Sequence, residues 1–251
     1  MRVATVLASD IDNTLTGDAS ALRRLCEAID ALRSRQALVL FLSTGRRMEQ
    51  VVAGLSAEGV PQADAVISHV GTEIFLPPYA AAAAPLPEWT DRVSRGFDRG
   101  AALELLAGIH GLVMQPDMYN TTLKVSCFMD GVSQPEAAVA LIRKRAARRG
   151  GYQVVWSSGR DLDVIPAAAG KGNAIRFLID HLSLRPDRVI VAGDSGNDAS
   201  MFDAYPFGIV VGNAQPELLA HVAARRHDGV YLAAGRHAAG VTEGLRHFGV
   251  L

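Results

Sequence analysis

The stretch Val3-Ala4-Thr5-Val6-Leu7-Ala8-Ser9-Asp10-Ile11-Asp12-Asn13-Thr14 decides the fold. Val3 to Ala8 is short, apolar and β-branched, and it runs into an acid, the pattern of a buried strand ending at a polar loop. Working outward, residues from about Ser20 to Arg33 carry Leu22, Leu25, Cys26, Ile29 and Leu32 at helical spacing. Ala37 to Leu42 reads as a second buried strand, stopped by Ser43-Thr44-Gly45. A helix pattern from Arg46 to about Leu55 and a third strand over Ala65 to Ser68 complete a β-α-β-α-β order. Strands this uniformly apolar belong in a parallel sheet covered on both faces.

The pattern then changes. Pro77-Pro78-Tyr79, the alanines from Ala80 to Ala84 and Pro85-Leu86-Pro87 read as a linker. Beyond it the spacing predicts a helix over Asp98 to Ile109, strands over Leu112 to Gln115 and Leu123 to Met129, and a helix over Pro135 to Arg149. A further strand pair follows, Tyr152 to Trp156 and Leu162 to Ile165. Short alternating strands with an α-β-β rhythm suggest a small antiparallel sheet with helices on one side. From Lys171 the βα alternation returns, with strands over Arg188 to Ala192 and Phe207 to Val211 among four helix patterns ending near Phe248. The expected fold is α/β. A doubly wound, parallel, Rossmann-like core sheet takes residues 1–79 and 167–251, and an inserted α+β cap takes residues 80–166.

Composition narrows the function. Lys and Arg total 25 against 26 Asp and Glu, a formal charge of −1, which excludes a broad electrostatic grip on nucleic acid. Hydrophobic residues make up 49% of the 251, too many for a disordered chain. No run approaches the ~18 apolar residues of a membrane span, and the opening MRVATVLASD is short for a secretory core. Cys26 and Cys127, both in apolar stretches, read as buried thiols in a reducing compartment. A cytoplasmic protein without membrane or nucleic-acid partners is expected. The basic run Arg143, Lys144, Arg145, Arg148 and Arg149 reads as a solvated helix face. The histidines are dispersed, and His69, the one near the expected crevice, reads as structural. No glycine-rich nucleotide loop is present.

The polar loops after the parallel strands carry the chemistry. They are Asp10-Ile11-Asp12-Asn13-Thr14, Ser43-Thr44-Gly45-Arg46, and Gly193-Asp194-Ser195-Gly196-Asn197-Asp198, with Lys171-Gly172-Asn173 opening a helix. In open parallel sheets the carboxyl ends of the strands form the ligand crevice, so these pieces should converge. Asp10, Asp12, Asp194 and Asp198 gathered there would repel one another and call for a hard cation such as Mg²⁺. Thr44 and Lys171 supply a hydroxyl, a point charge and N–H donors for a phosphate. Asp10 could attack phosphorus. Asp12 could protonate the leaving oxygen and then deprotonate water. Each fragment alone is ordinary turn or cap chemistry; all of them in order make a phosphoryl-transfer site.

Order and residues resemble the haloacid dehalogenase superfamily of phosphohydrolases. The resemblance implies Asp10 as nucleophile, Asp12 as acid/base, Thr44 and Lys171 as phosphate ligands, and an acidic metal loop with Asp194 and Asp198. It further implies Mg²⁺ ligation by Asp10, the main-chain carbonyl of Asp12 and Asp194, with Asn197 and Asp198 ordering the site behind them. The segments SDIDNT, HVGTEIF, TLKVSCF, WSSGRDLDVIP, KGNA, GDSGND and GNAQPELL resemble the sucrose-phosphate phosphatase family, over nearly the whole chain. Arg160 to Pro166 and Glu243 to Gly249 are also similar to mannosylfructose-phosphate phosphatases. Sucrose 6-phosphate is the substrate this implies, with mannosylfructose phosphate or another sugar phosphate as the alternative, a sugar-phosphate synthase as a partner and a monomeric enzyme as the working form.

The sugar should meet polar groups from the cap, since buried polar groups reject analogues that leave them unpaired. Glu73, Lys124, Arg160 and Asp161 are assigned to sugar hydroxyls, and Gly45, Arg46 and Asn197 join the substrate-binding set. Arg46 could equally pair with a carboxylate. Competing readings are a phosphomutase, a phospho-aspartate signalling module and a sugar-binding protein with a degenerate site. A signalling module needs only about half this length and no second acidic loop, and no motif residue is missing as degeneracy would require.

Overall fold

The computed structural model describes residues 2–225 and 228–251. The chain opens with β1 (Arg2–Ser9), α1 (Ala19–Ser34), β2 (Leu38–Ser43), α2 (Met48–Ala57), β3 (Ala65–Ser68) and β4 (Glu73–Phe75). Then come α3 (Pro87–Ser94), α4 (Arg99–Leu105), β5 (Val113–Met114), β6 (Val125–Phe128), α5 (Pro135–Arg149), β7 (Tyr152–Ser157) and β8 (Asp161–Pro166). The last part is α6 (Lys171–His181), β9 (Arg185–Gly193), α7 (Ala199–Ala204), β10 (Phe207–Val210), α8 (Pro216–Arg225), β11 (Val230–Leu232) and α9 (His237–His247).

The large sheet has seven strands in the order β11-β10-β9-β1-β2-β3-β4. All neighbours run parallel except β4, which returns antiparallel along β3. β1 pairs with β2 on one side and β9 on the other, so the winding reverses at β1 and the loops after β1 and β9 border one crevice. Every residue of β2 and β3 is buried because helices cover both faces. On one face Leu22, Leu25 and Ile29 of α1 meet Leu40 and Leu42 of β2, with Val241 and Leu245 of α9. On the other, Ile175 and Leu178 of α6 and Phe202 of α7 meet Phe41 and Val191. α1 starts where Asp18 accepts from the Ser20 and Ala21 N–H groups, an N-cap that ends the polar loop after β1.

The inserted segment folds as an antiparallel sheet in the order β5-β6-β8-β7. Leu105 of α4 and Ile142 of α5 pack on its outer face, against Cys127, Leu162 and Val164. Strand alternation then turns Asp161 and Asp163 of β8 to the opposite face, where farther along Ile165 joins the large sheet's core. One face of a short strand is thus polar over the crevice and apolar where it rests on the core.

Three elements go beyond the sequence expectation. β4 and β11 are three residues each, too short to show periodicity. The stretch after Pro77 is not a free linker: the Tyr79 hydroxyl donates to Ala63 O and Tyr79 packs on the core. It leads into α3, whose Trp89 is wholly buried among large-sheet core residues, tilted against Phe177 at 5.1 Å between ring centres. Cys26, expected to be buried, is half-buried, with its thiol directed at Gly59 O; Cys127 is buried, and both are free thiols.

Candidate active site

Asp10 stands immediately after β1, its N–H donating to Ala192 O of β9 at 2.9 Å. Asp194 stands immediately after β9, and Asp198 closes the 3-10 turn Gly196–Asp198. Oxygens of Asp10, Asp194 and Asp198 lie within 4.8 Å of one another, and all three residues are buried. Lys171, the first residue of α6 and 0% exposed, reaches into this group. Its Nζ donates at 2.7 Å to Asp10 Oδ1, Asp198 Oδ1 and Asn197 Oδ1. A glycine permits this approach. Gly71, at φ +91°, lies so close that a Cβ there would sit 2.2 Å from the Gly170 carbonyl carbon.

Charge dominates the energetics. Three ionised carboxylates and one ammonium would leave two negative charges in a buried space. Burial therefore lifts the Asp10 carboxyl well above its ordinary value; Lys171 opposes that shift, while Asp198 and Asp194 reinforce it. Burial and the Asp198 charge push Asp194 up to about 7, against Lys171 and the Thr14 hydroxyl, which donates to Asp194 Oδ1 at 3.1 Å. For Lys171, burial acts downward, yet Asp10 and Asp198 prevail and raise it. Asp194 Oδ2 is buried without any hydrogen-bond partner. An orphaned carboxylate oxygen beside Asp10, with two negative charges unbalanced, fits one divalent cation with oxygen ligands.

The two other expected acidic ligands are placed differently. Both oxygens of Asp198 are taken: Oδ1 by Lys171, Oδ2 by the N–H groups of Asp194 and Ser195 at 2.9 and 3.1 Å. Asp198 thus shapes the loop while its carboxylate stays within the acidic cluster. The Asp12 carboxylate lies outside the acidic cluster, bound by Arg46 through Nε at 3.0 Å and Nη2 at 2.8 Å. Arg46, for which both substrate contact and a carboxylate partner were expected, pairs with Asp12 and Glu58 and lines the cavity.

A cavity of about 560 Å³ opens above these groups, between the large sheet's loops and the polar face of the small sheet. Asp10, Asp12, Gly45, Arg46 and Asn197 line it from below; Lys124, Arg160 and Asp161 line it from above. Thr44 is wholly buried behind Gly45, its Oγ1 accepting from the Arg46 N–H at 3.1 Å. Glu73 is not at the cavity; it accepts from the Ser68 hydroxyl and lies 3.8 Å from His69. Lys124 is already engaged, its Nζ donating to Asp163 at 2.8 Å and to Ser126. Arg160 pairs with Asp130 and lies over the Phe128 ring at 4.3 Å. Asp161 accepts from Gln115 at 2.9 Å.

Gln50, Gln115, Tyr119, Phe128 and Asp163 also line the cavity and were outside the site set expected from sequence. Asp163 was legible, since it shares a strand face with Asp161. Gln115 follows the two-residue strand β5 and Tyr119 ends a single 3-10 turn, elements too short to mark either residue from sequence. The cavity floor is braced by a strained turn. Val70, at φ +60°, is a β-branched residue in left-handed backbone, and its N–H donates to Thr44 O. His69 beside it is buried, which holds its imidazole down to about 4, in line with a structural role.

Comparison with known proteins decides the family. The sucrose-6F-phosphate phosphohydrolase family matches residues 3–249. The chain belongs to this family. It is 34% identical over 255 residues to the mannosylfructose-phosphate phosphatase of Agrobacterium fabrum, covering 100% of this chain and 99% of that one. It is 31% identical over 257 residues to sucrose-phosphatase 1 of Nicotiana tabacum, covering 97% of this chain but 59% of the tobacco protein's length. Among solved structures, the sucrose-phosphatase of Synechocystis, in complex with sucrose and phosphate, superposes with a TM-score of 0.89 at 30% identity, covering 99% of each chain. Membership makes the chain a phosphoric monoester hydrolase of the haloacid dehalogenase type, with a sugar phosphate as substrate. No helix among the described residues is long and apolar enough to cross a membrane.

Proposed function

We propose that the enzyme hydrolyses sucrose 6-phosphate to sucrose and phosphate, with Mg²⁺, through a phosphorylated Asp10. The observation that carries this reading is Asp10 itself. It lines the cavity, Lys171 holds its Oδ1, and the partnerless Asp194 Oδ2 is beside it. An Asp10 oxygen bonds to phosphorus as the bond to the sugar oxygen breaks, and that oxygen takes a proton from Asp12. Water then attacks the phosphorylated Asp10, gives its proton to Asp12, and releases phosphate. Asp10 and Asp194, with the main-chain carbonyl of Asp12, would hold Mg²⁺, which supplies charge neutralisation for the transferring phosphoryl group.

Specificity is assigned to the small sheet as a cap. We take the cap within residues 80–166 with one adjustment: α3 goes with the core, because Trp89 packs there. The cap's polar face (Gln115, Lys124, Arg160, Asp161, Asp163) meets the sugar, and a sugar-phosphate synthase supplies the substrate. Two free cysteines suit a cytoplasmic setting, and a monomer suffices because one chain encloses the whole cavity. The 34% identity to the Agrobacterium enzyme favours mannosylfructose phosphate as the alternative substrate.

A phosphate-release panel with Mg²⁺ over both disaccharide phosphates, trehalose 6-phosphate and hexose monophosphates ranks these readings. Equal rates across the panel would refute a disaccharide role. Asp10→Asn should abolish turnover, and undiminished activity in that variant sinks the covalent route. Phosphate release slower than substrate loss would indicate a mutase.

A further inference from the structure

Arg46 is gripped from two sides. Its Nε and Nη2 hold the Asp12 carboxylate, while Nη1 and Nη2 meet Glu58 Oε1 and Oε2 at 2.6 and 2.8 Å. The Arg46 main chain is pinned as well, its N–H donating to Thr44 Oγ1 and its carbonyl accepting from the His69 N–H. The Arg46 side chain is 13% exposed, whereas that of Asp12 is 50% exposed and borders the cavity. Glu58 caps the end of α2 and does not line the cavity, so it touches no substrate. Gly54, one turn earlier, leaves room for the pair: a Cβ there would sit 2.7 Å from Arg46 Nη1 and 3.1 Å from Glu58 Oε1.

A half-exposed aspartate rotates among several side-chain positions unless something fixes its plane. A planar guanidinium does so, because two donors meet the carboxylate in a fork. That guanidinium sits at the end of a flexible stem and needs an anchor of its own. We propose that Glu58 is a positioning residue for the reaction, anchoring the Arg46 fork that holds the Asp12 carboxyl group at the leaving-oxygen side of the cavity. The inference rests on Asp12 acting as the acid/base, as proposed above. Small displacements of a reacting group cost rate steeply, about 10²-fold for roughly 1 Å.

The test separates proton donation from folding by varying the leaving group. kcat/KM reports steps through phosphoryl transfer to Asp10. In that step a sugar alkoxide needs a proton from Asp12, and p-nitrophenolate does not. We would measure kcat/KM in saturating Mg²⁺ for the best sugar phosphate and for p-nitrophenyl phosphate, in wild type, Asp12→Asn, Glu58→Gln and Gly54→Ala. Asp12→Asn should lose about 10²-fold or more on the sugar phosphate and far less on the aryl ester. Glu58→Gln should follow the same split, about tenfold against under about twofold, as a fraction of the acid's full effect. Gly54→Ala should show the split with an unfolding temperature at or above wild type, because alanine favours the helix while its methyl crowds the Arg46–Glu58 pair.

Equal losses on both substrates in Glu58→Gln, or no loss, overturn the positioning role while leaving Asp12 intact if its own variant shows the split. Absence of the split in Asp12→Asn overturns the acid/base reading and the inference together.

Discussion

The orphaned Asp194 oxygen makes a quantitative demand on stability. Asp194 is 2% exposed, and its carboxyl is pushed up to about 7 from an ordinary 3.8. Between those values the folded protein holds a proton that the unfolded chain has lost, so stability contributed by this group falls as pH rises. The penalty is absent below 3.8 and complete above 7. Each pKa unit is worth about 1.4 kcal/mol, giving about 4 kcal/mol in full and about 2 kcal/mol between pH 5.5 and 8. His69 works in the opposite sense. Its imidazole, held down to about 4 by burial, leaves the unfolded chain with more protons below 6.5, so its contribution rises with pH. Over pH 5.5 to 8 it offsets about 1.4 kcal/mol of the Asp194 loss, while Asp10, also raised by burial, adds to that loss, so a variant is needed to expose either.

The perturbation is Asp194→Asn, compared with wild type by urea unfolding in a chelator at both pH values. The variant's stability relative to wild type should grow by about 2 kcal/mol from pH 5.5 to 8, since the His69 term is common to both. Mg²⁺ at pH 8 should narrow the difference, stabilising wild type by about 2.7 kcal/mol at a hundred times its Kd and the variant far less. Protons compete with the metal, so the same Mg²⁺ should stabilise wild type less at pH 5.5. A pH-independent difference in chelator, or equal stabilisation of both proteins by Mg²⁺, would refute the reasoning that this carboxylate is a buried charge awaiting a cation.

Two further outcomes follow from the packing. Lys171→Met removes the cation that, among the described residues, pairs with both Asp10 and Asp198; it should cost about 3–5 kcal/mol in urea unfolding at pH 8, and less at low pH where the acids protonate, together with turnover. Trp89→Ala should cost about 3–5 kcal/mol, because the ring is wholly buried and its Nε1 donates to Gly71 O at 3.3 Å; a change within about 1 kcal/mol would show α3 to be a dispensable strap.

Much of the molecule was legible because the strong signals are local. Val3 to Ala8, Ala65 to Ser68 and Pro135 to Arg149 show their periodicity within one element, and they fold as β1, β3 and α5. α3 was hidden by its surroundings: prolines and alanines read as linker chemistry, and what makes it a fixed helix is Trp89 entering a pocket of residues distant in sequence. Asp10, Asp194 and Lys171 converge because each follows a strand or opens a helix, where chain direction alone points it at the crevice. Glu73 was misplaced because β4 turns antiparallel to β3, and its side chain meets Ser68 and His69 instead of the cavity.

The sequence by itself determined the winding, the identity of the polar loops and the reaction class they can support, since these depend on periodicity and on residue type at strand ends. Only the tertiary structure decided what each charge does. Asp12 faces Arg46, both Asp198 oxygens are consumed by Lys171 and two N–H groups, and Asp194 keeps one oxygen without a partner. A carboxylate's role is set by what lies within about 3 Å of its oxygens. For these acids the neighbours come from segments as far apart as Asp10 and Lys171, a proximity that no single stretch of sequence encodes.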